Sequence, residues 1–119
     1  MAKTRFVIKR IYNEPSDDDG LRILVDRVWP RGMTKDAARL DDWLKDLAPT
    51  TVLRKHFCHD PELFGEFRER YFAELDENAE LVLSCLKQWR GEHVTLLYGA
   101  KDREHNQAVV LRDYLAQRV

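Results

Sequence analysis

Two short segments of this 119-residue chain concentrate the residue types that bind anions and transfer protons. The first covers residues 26–32 and the second covers residues 98–106. The candidates for ligand binding in the two segments are Arg27, Trp29, Arg31, Tyr98, Lys101 and Asn106. The candidates for proton transfer are Asp26, Asp102 and His105.

The cationic candidates favour an anionic ligand. Arg27 and Arg31 carry planar guanidinium groups that can donate to two oxygens of a phosphate or carboxylate at once. Lys101 would add a point charge near the start of a predicted helix, where the helix dipole already favours anions. The sequence therefore predicts a small anionic molecule as the partner.

His105, together with Asp26 or Asp102, could transfer a proton. A carboxylate beside a histidine orients the imidazole and raises its pKa towards neutrality. Two structural interpretations compete with this one. Asp26 could form an ordinary ion pair with Arg27 or Lys101 at the end of a sheet, and Trp29 could be part of a packing corner instead of a platform for a ligand.

A further polar stretch at residues 54–60 raises the question of a metal site. Its spacing matches no known zinc arrangement, so we predict neither a metal nor a cofactor. His59 and Asp60 are better explained as residues at a helix end, and Arg54 is a further candidate to bind the ligand. Cys58 is the one cysteine that could act as a nucleophile, because Cys85 falls on a predicted apolar helix face.

The pattern of apolar residues predicts the elements that would position these groups. Runs rich in β-branched and aromatic residues predict strands over 6–12, 21–25 and 93–98. Apolar spacings of three and four predict helices over 35–47, from Thr50, from Asp60, from Ala79 and after Asn106. We expect one α/β domain over residues 1–119, with a small, mainly parallel sheet of three or four strands covered by helices.

The carboxyl ends of parallel strands are where ligands bind in such folds. Both polar segments directly follow predicted strands, so we expect them to face each other across the sheet.

Composition excludes several classes of function. The chain has 20 basic and 21 acidic residues, so no overall field favours nucleic acid or an anionic membrane. No apolar run approaches the roughly 20 residues of a membrane span, and the start of the chain has no signal-peptide pattern. We expect a cytoplasmic protein with free thiols. Its exposed aromatic residues could serve a homodimer.

Several stretches of the sequence resemble the YeaO-like branch of the domain-of-unknown-function 488 family, and the resemblance covers almost the whole chain. The matching stretches are residues 9–12, 24–32, 43–49, 53–55, 59–61, 95–98, 100–102 and 105–106. The resemblance implies an α/β fold and a polar site built from the ends at Asp26 and Arg27 and at Lys101 to His105. The family name states no activity.

The resemblance also indicates which chemistry is missing. The wider family commonly has a cysteine where Tyr98 stands, and a Cys-His-Arg run at the start of the last helix, where this chain has Asn106, Gln107 and Ala108. Within the branch a second histidine often occupies the position of Gln107. His105 is therefore the imidazole that remains at this helix start.

Two functions are compatible with these residues. One is an enzyme that acts on a small anionic substrate, including nucleotide-like ones, by acid and base chemistry. The alternative is a non-catalytic ligand-binding or regulatory module that uses the same basic pocket. A role in protein interaction or structure is a third class, and the sequence leaves enzyme and binding module equally open.

Overall fold

The strands form a single four-stranded sheet in the order β1-β4-β2-β3, and every neighbouring pair is parallel. A computed structural model describes residues 3–119. The strands are β1 (Arg5–Arg10), β2 (Leu21–Leu24), β3 (Asp42–Trp43) and β4 (His93–Tyr98). The helices are α1 (Lys35–Ala38), α2 (Thr51–Phe57), α3 (Phe64–Glu77), α4 (Ala79–Gln88) and α5 (Gln107–Ala116). The predicted α/β fold with a small parallel sheet is confirmed.

The central strand β4 joins distant parts of the chain. Arg5 of β1 pairs with His93, and Leu21 of β2 pairs with Val94. The pairing extends beyond β1, because the backbone N–H of Ile11 donates to Tyr98 O at 2.8 Å. The carboxyl ends of β1, β4 and β2 consequently lie side by side at one edge of the molecule.

The two faces of the sheet are covered differently. Ile23, Val94 and Leu96 belong to a large core that includes buried side chains of α2, α3, α4 and α5. On the opposite face, Leu24 and Leu97 form a smaller core with side chains of the irregular segment between β2 and β3. Parallel strands are usually buried on both faces, and here helices cover one face while a mostly irregular segment covers the other.

The prediction of one helix over residues 35–47 is wrong. Thr34 Oγ1 accepts a hydrogen bond from Ala37 N at 3.1 Å and starts α1, but Arg39 adopts a left-handed conformation with φ of 47° and ends it after about one turn. The chain then becomes the short edge strand β3. Trp43 packs on the smaller core and Leu44 on the larger one, so consecutive residues serve opposite faces as in a strand.

Polar side chains cap the helix starts, at Thr50 and Asp60 as predicted and also at Asn106, for which the sequence predicted a role in ligand binding. Thr50 Oγ1 accepts from Leu53 N at 3.2 Å at the start of α2, and Asn106 Oδ1 accepts from Val109 N at 3.0 Å at the start of α5. Asp60 begins a single 3₁₀ turn, Pro61–Leu63, which continues into α3. Over residues 3–119, none of the helices combines the length and the apolar character needed to cross a membrane.

Candidate functional site

An open cleft of about 660 Å³ lies at the carboxyl ends of β2 and β4. Its walls come from the segment after β2, from α2 with the turn that follows it, and from the turn between β4 and α5. The charged and amide side chains that line it are Asp26, Arg31, Arg54, Lys55, His59 and Gln107. At the expected edge of the sheet the first polar segment thus meets Gly99 and Ala100 of the second, whose polar candidates lie outside the cleft.

Asp26 joins the two segments directly. Its Oδ2 accepts a hydrogen bond from Gly99 N at 2.8 Å, and its Oδ1 accepts one from Gln107 Nε2. A Cβ atom on residue 99 would lie 3.0 Å from Asp26 Oδ2 and 3.6 Å from Pro30 Cβ. Glycine at this position therefore allows the backbone of the β4 turn to approach the carboxyl group closely.

Asp26 is largely buried, and its environment opposes ionisation. Burial raises the pKa of Asp26 from 3.8 to about 6, because the charged form loses hydration. The Gly99 N–H group, the positive charge of Arg54 and the Gln107 amide each lower the pKa, but together they offset only part of the effect of burial. Asp26 is therefore a carboxyl group that titrates close to neutral pH at the wall of the cleft.

Arg27 does not line the cleft. Its Nε donates to Pro49 O at 2.9 Å and its Nη2 donates to Ala48 O at 3.2 Å. These bonds hold the segment that leads into α2, and among the described residues Asp26 forms no ion pair with either Arg27 or Lys101. The ion pair considered for Asp26 is thus absent from residues 3–119, and the guanidinium of Arg27 serves the fold.

The cations that do line the cleft are Arg31, Arg54 and Lys55. Arg54 and Lys55 lie on α2 at spacings of three and four from Thr51, which also lines the cleft, so one face of this helix is presented to it. Sequence reasoning named Arg31 and Arg54 but missed Lys55. The helical spacing from Thr51 was the signal that could have found it.

Trp29 both packs against neighbouring residues and lines the cleft. Its Nε1 donates to Met33 O at 2.7 Å, and its ring packs edge-on against Trp43 with centroids 5.3 Å apart. The side chain is half-buried, yet it also lines the cleft. It is a packing corner whose remaining surface forms an apolar wall of the site.

Asp102 and His105 form a separate pair outside this cleft. Asp102 Oδ1 accepts from the backbone N–H groups of Glu104 and His105, each at 2.9 Å, and Asp102 Oδ2 lies 2.9 Å from His105 Nδ1. The Glu104 N–H, followed by the His105 N–H, lowers the pKa of Asp102. The imidazole packs edge-on against Phe64 at 5.2 Å between centroids.

A second cavity of about 450 Å³ adjoins the cleft. Lys101 and Asp102 line it, and His59, Gly99 and Ala100 border both spaces. His105 is outside the lining of both. The predicted catalytic residues are therefore divided, with Asp26 in the cleft, Asp102 in the adjoining cavity and His105 beside it.

Tyr98 and Asn106 lie in the interior. Tyr98 is 2% exposed, and burial raises its pKa. Asn106 is fully buried, and besides capping α5 its Nδ2 donates to Asp102 O at 2.8 Å. Both residues shape the turn between β4 and α5, and neither lines the cleft.

The turn after α2 closes the cleft with an uncommon backbone. Cys58 and His59 have φ of 46° and 55°, so two consecutive residues other than glycine are left-handed. The Cys58 thiol is exposed and lines the cleft. Residues 3–119 contain no cluster of three or more histidine, cysteine, aspartate or glutamate side chains that could hold a metal ion.

A family model described as the inactive DUF488-N3 subclade matches residues 5–119. The chain belongs to this family. This match confirms the resemblance to the domain-of-unknown-function 488 family and its YeaO-like branch. No solved structure matches this chain significantly.

Proteins from two bacterial genera illustrate the membership. This chain is 42% identical to "Uncharacterized protein YeaO" of Escherichia coli (strain K12) over 107 residues, which are 90% of this chain and 93% of that protein. It is 47% identical to "Uncharacterized protein Rv3073c" of Mycobacterium tuberculosis (strain ATCC 25618 / H37Rv) over 81 residues, which are 68% of this chain and 69% of that protein.

In this chain, Gln107 occupies the position at which the family resemblance implies a second histidine in many members of the branch. The structure gives that residue a specific contact, because its amide donates to Asp26. Sequence reasoning did not place Gln107 among the site residues. Its position as the first residue of α5, facing the end of β2, was the available signal.

Proposed function

We propose that this chain is a non-catalytic binding module for a small organic anion, which it holds in the cleft at the carboxyl ends of β2 and β4. The observation that carries the proposal is the charge of the cleft. Arg31, Arg54 and Lys55 line it, and Asp26 is its one carboxylate among the described residues. Three cations against one carboxyl group leave the balance in the cleft positive even when Asp26 is ionised.

The size and lining of the cleft support an organic ligand. Its volume of about 660 Å³ lies within the usual range for small-molecule sites. Trp29, Pro30 and Pro49 provide apolar surface beside the cations. Sites of this kind bind the body of a ligand through apolar contact and fix its orientation through a few charged groups.

Two observations support binding without turnover. The pair of Asp102 and His105 lies outside the lining of the cleft, so the imidazole of His105 is not presented to a molecule held by Arg54. In addition, the family description calls the subclade inactive.

The test is a titration of the purified protein with phosphorylated and carboxylated metabolites, followed by melting temperature and by calorimetry. A ligand at a concentration 100 times its Kd should stabilise the protein by about 2.7 kcal/mol. Arg54→Met should weaken the affinity about tenfold or more, because a charge-assisted contact is lost. If no anion shifts the melting temperature, the proposal is wrong.

The matched control is Arg70→Met. Arg70 is exposed on α3, where it pairs with Glu66 at 2.9 Å, and it lines neither cavity. We expect this variant to bind every ligand as the wild-type protein does. An equal loss of affinity in both variants would indicate a nonspecific effect of surface charge and would contradict the proposed site.

A second candidate is an enzyme that uses Asp26 for proton transfer, together with Asp102 and His105 as predicted from the sequence. The observation that favours it is the pKa of Asp26 of about 6, which suits a general acid or base near neutral pH. Incubation of any ligand found above, with product analysis, separates the candidates. An enzyme should lose turnover in Asp26→Asn or His105→Ala, whereas a binding module converts nothing in any variant.

A further inference from the structure

The lining of the cleft presents hydrogen-bond acceptors as well as cations, because Asp26 and Gln107 both line it. Each oxygen of Asp26 already accepts one bond, from Gly99 N or from Gln107 Nε2, and a carboxylate oxygen can accept a second. Gln107 Oε1 accepts no hydrogen bond from the described residues. A ligand that contacts Asp26 and Gln107 therefore meets hydrogen-bond acceptors and must bring donors.

Asp26 acts as an acceptor at the pH of most cytoplasms. Burial raises its pKa to about 6, so the carboxyl group is mainly ionised at pH 7.5. A buried carboxylate binds N–H donors more strongly than a neutral acceptor does, because the hydrogen bond is assisted by charge. The Gln107 amide stands beside it and fixes its orientation.

The lining of the same cleft also includes apolar surface. Trp29, Pro30 and Pro49 form it, and the half-buried indole of Trp29 is held in place by Met33 and Trp43. A rigid aromatic side chain of this kind favours a flat ring in the ligand over a flexible alkyl chain. The cleft is also large enough for a ring together with a charged group.

We infer that the cleft is specific for a nucleotide whose base carries adjacent N–H donors, as the N1–H and 2-amino groups of guanine do. The base would donate to Asp26 and Gln107, its ring would lie against Trp29, and its phosphate would face Arg54 and Lys55. This inference rests on the proposed anion-binding function and specifies its ligand.

Calorimetry at pH 7.5 with four probes tests the inference on the full chain. The probes are guanosine 5′-monophosphate, inosine 5′-monophosphate, ribose 5-phosphate and phosphoethanolamine. Guanosine 5′-monophosphate should bind about tenfold or more tightly than inosine 5′-monophosphate, which lacks the 2-amino donor. It should exceed ribose 5-phosphate, which lacks the base, by a larger factor.

Two variants identify the residues responsible. Asp26→Asn and Gln107→Leu should each reduce the ratio of affinities for guanosine 5′-monophosphate over ribose 5-phosphate by about tenfold. Because the ratio compares two ligands on one protein, a variant with altered stability still gives a valid result. Circular dichroism verifies that both variants are folded.

The outcomes distinguish this inference from the function on which it rests. If ribose 5-phosphate binds as tightly as guanosine 5′-monophosphate, base recognition is wrong while anion binding stands. If phosphoethanolamine matches the nucleotide, an ammonium group satisfies the acceptors and the ring is not recognised. If none of the four probes binds, the inference is overturned, whereas the proposed anion binding is decided by the wider titration with phosphorylated and carboxylated metabolites.

Discussion

Asp26 and Asp102 are both carboxylates that follow a strand of the same sheet, yet the structure gives them opposite properties. Asp26 follows β2 and is largely buried, and burial raises its pKa to about 6. Asp102 follows β4 and is partly exposed, and the Glu104 N–H, followed by the His105 N–H, lowers its pKa. Position relative to a strand identifies both residues, but burial and backbone donors decide what each can do.

The difference separates a carboxyl group at the wall of the cleft from one that closes a turn. Asp26 faces the cleft together with cations from other elements, so under the proposed function its ionisation would affect the affinity for a ligand. Asp102 uses one oxygen to close the turn before α5 and the other to contact His105. Three variants that alter the two loops should break or sharpen this comparison.

Asp26→Asn should have the largest effect on stability, and the effect should be stabilising at neutral pH. The folded-state pKa of about 6 exceeds the unfolded value of 3.8, so the stability that protonated Asp26 contributes is complete below 3.8 and is lost as the pH rises through about 6. The loss amounts to about 3 kcal/mol at full ionisation. Asparagine keeps the shape without the charge, and urea unfolding should therefore show a gain of up to that size at pH 7.5.

The same variant provides its own control at pH 4. There the wild-type carboxyl group is largely protonated in the folded protein, so the two proteins should have similar free energies of unfolding. A variant that is less stable than wild type at pH 7.5 would contradict the assignment. It would mean that the hydrogen bonds from Gly99 and Gln107 favour the charged form more than burial disfavours it.

Asn106→Ala should reduce the free energy of unfolding by about 1 kcal/mol, because α5 loses its N-cap. The substitution also removes the buried amide that donates to Asp102 O, which adds to the loss of stability. Thermal unfolding at pH 7.5 measures the effect. Asn78→Ala is the matched control, since the Asn78 amide also donates to a backbone oxygen, that of Asp46, but makes no cap hydrogen bond at the start of α4. A loss in Asn106→Ala no larger than the loss in Asn78→Ala would contradict the capping role of Asn106.

Asp102→Asn should have the smallest effect and the opposite sign to Asp26→Asn. The pKa of Asp102 is lowered, so the stability it contributes is present above 3.8 and is lost as the pH falls through the lower folded-state value. The variant should be slightly less stable at pH 7.5, and the deficit should disappear in strong acid. Melting curves across pH test this, and a deficit that persists in acid would assign the effect to packing instead of charge.

Features encoded by neighbouring residues could be predicted from the sequence. The cap at Thr50 is an example, because a side chain that accepts from a backbone N–H three residues later depends only on local sequence. The strands were recognised by their β-branched and aromatic composition. Parallel pairing then followed from the helices between them.

Features decided by tertiary contacts could not be predicted. Trp43 was assigned to a helix, but its Nε1 donates to Asp26 O at 2.7 Å and its backbone pairs with β2, and these contacts outweigh the helical spacing. Arg27 was assigned to the ligand because guanidinium groups suit anions. Its actual acceptors are backbone carbonyls more than 20 residues away, which no local pattern indicates.

The order of the strands has a consequence for how the protein forms. β4 lies between β1 and β2, so neither of these earlier strands has its main partner until residues 93–98 have been synthesised. Contacts between residues so far apart in sequence slow folding, because a long loop must close, at a cost in entropy, before these contacts can stabilise the fold. During translation the first half of the chain therefore leaves the ribosome before β1 has a partner strand, and β2 can pair only with the short strand β3. The sheet and the cleft at its edge can therefore be complete only after β4 has been added.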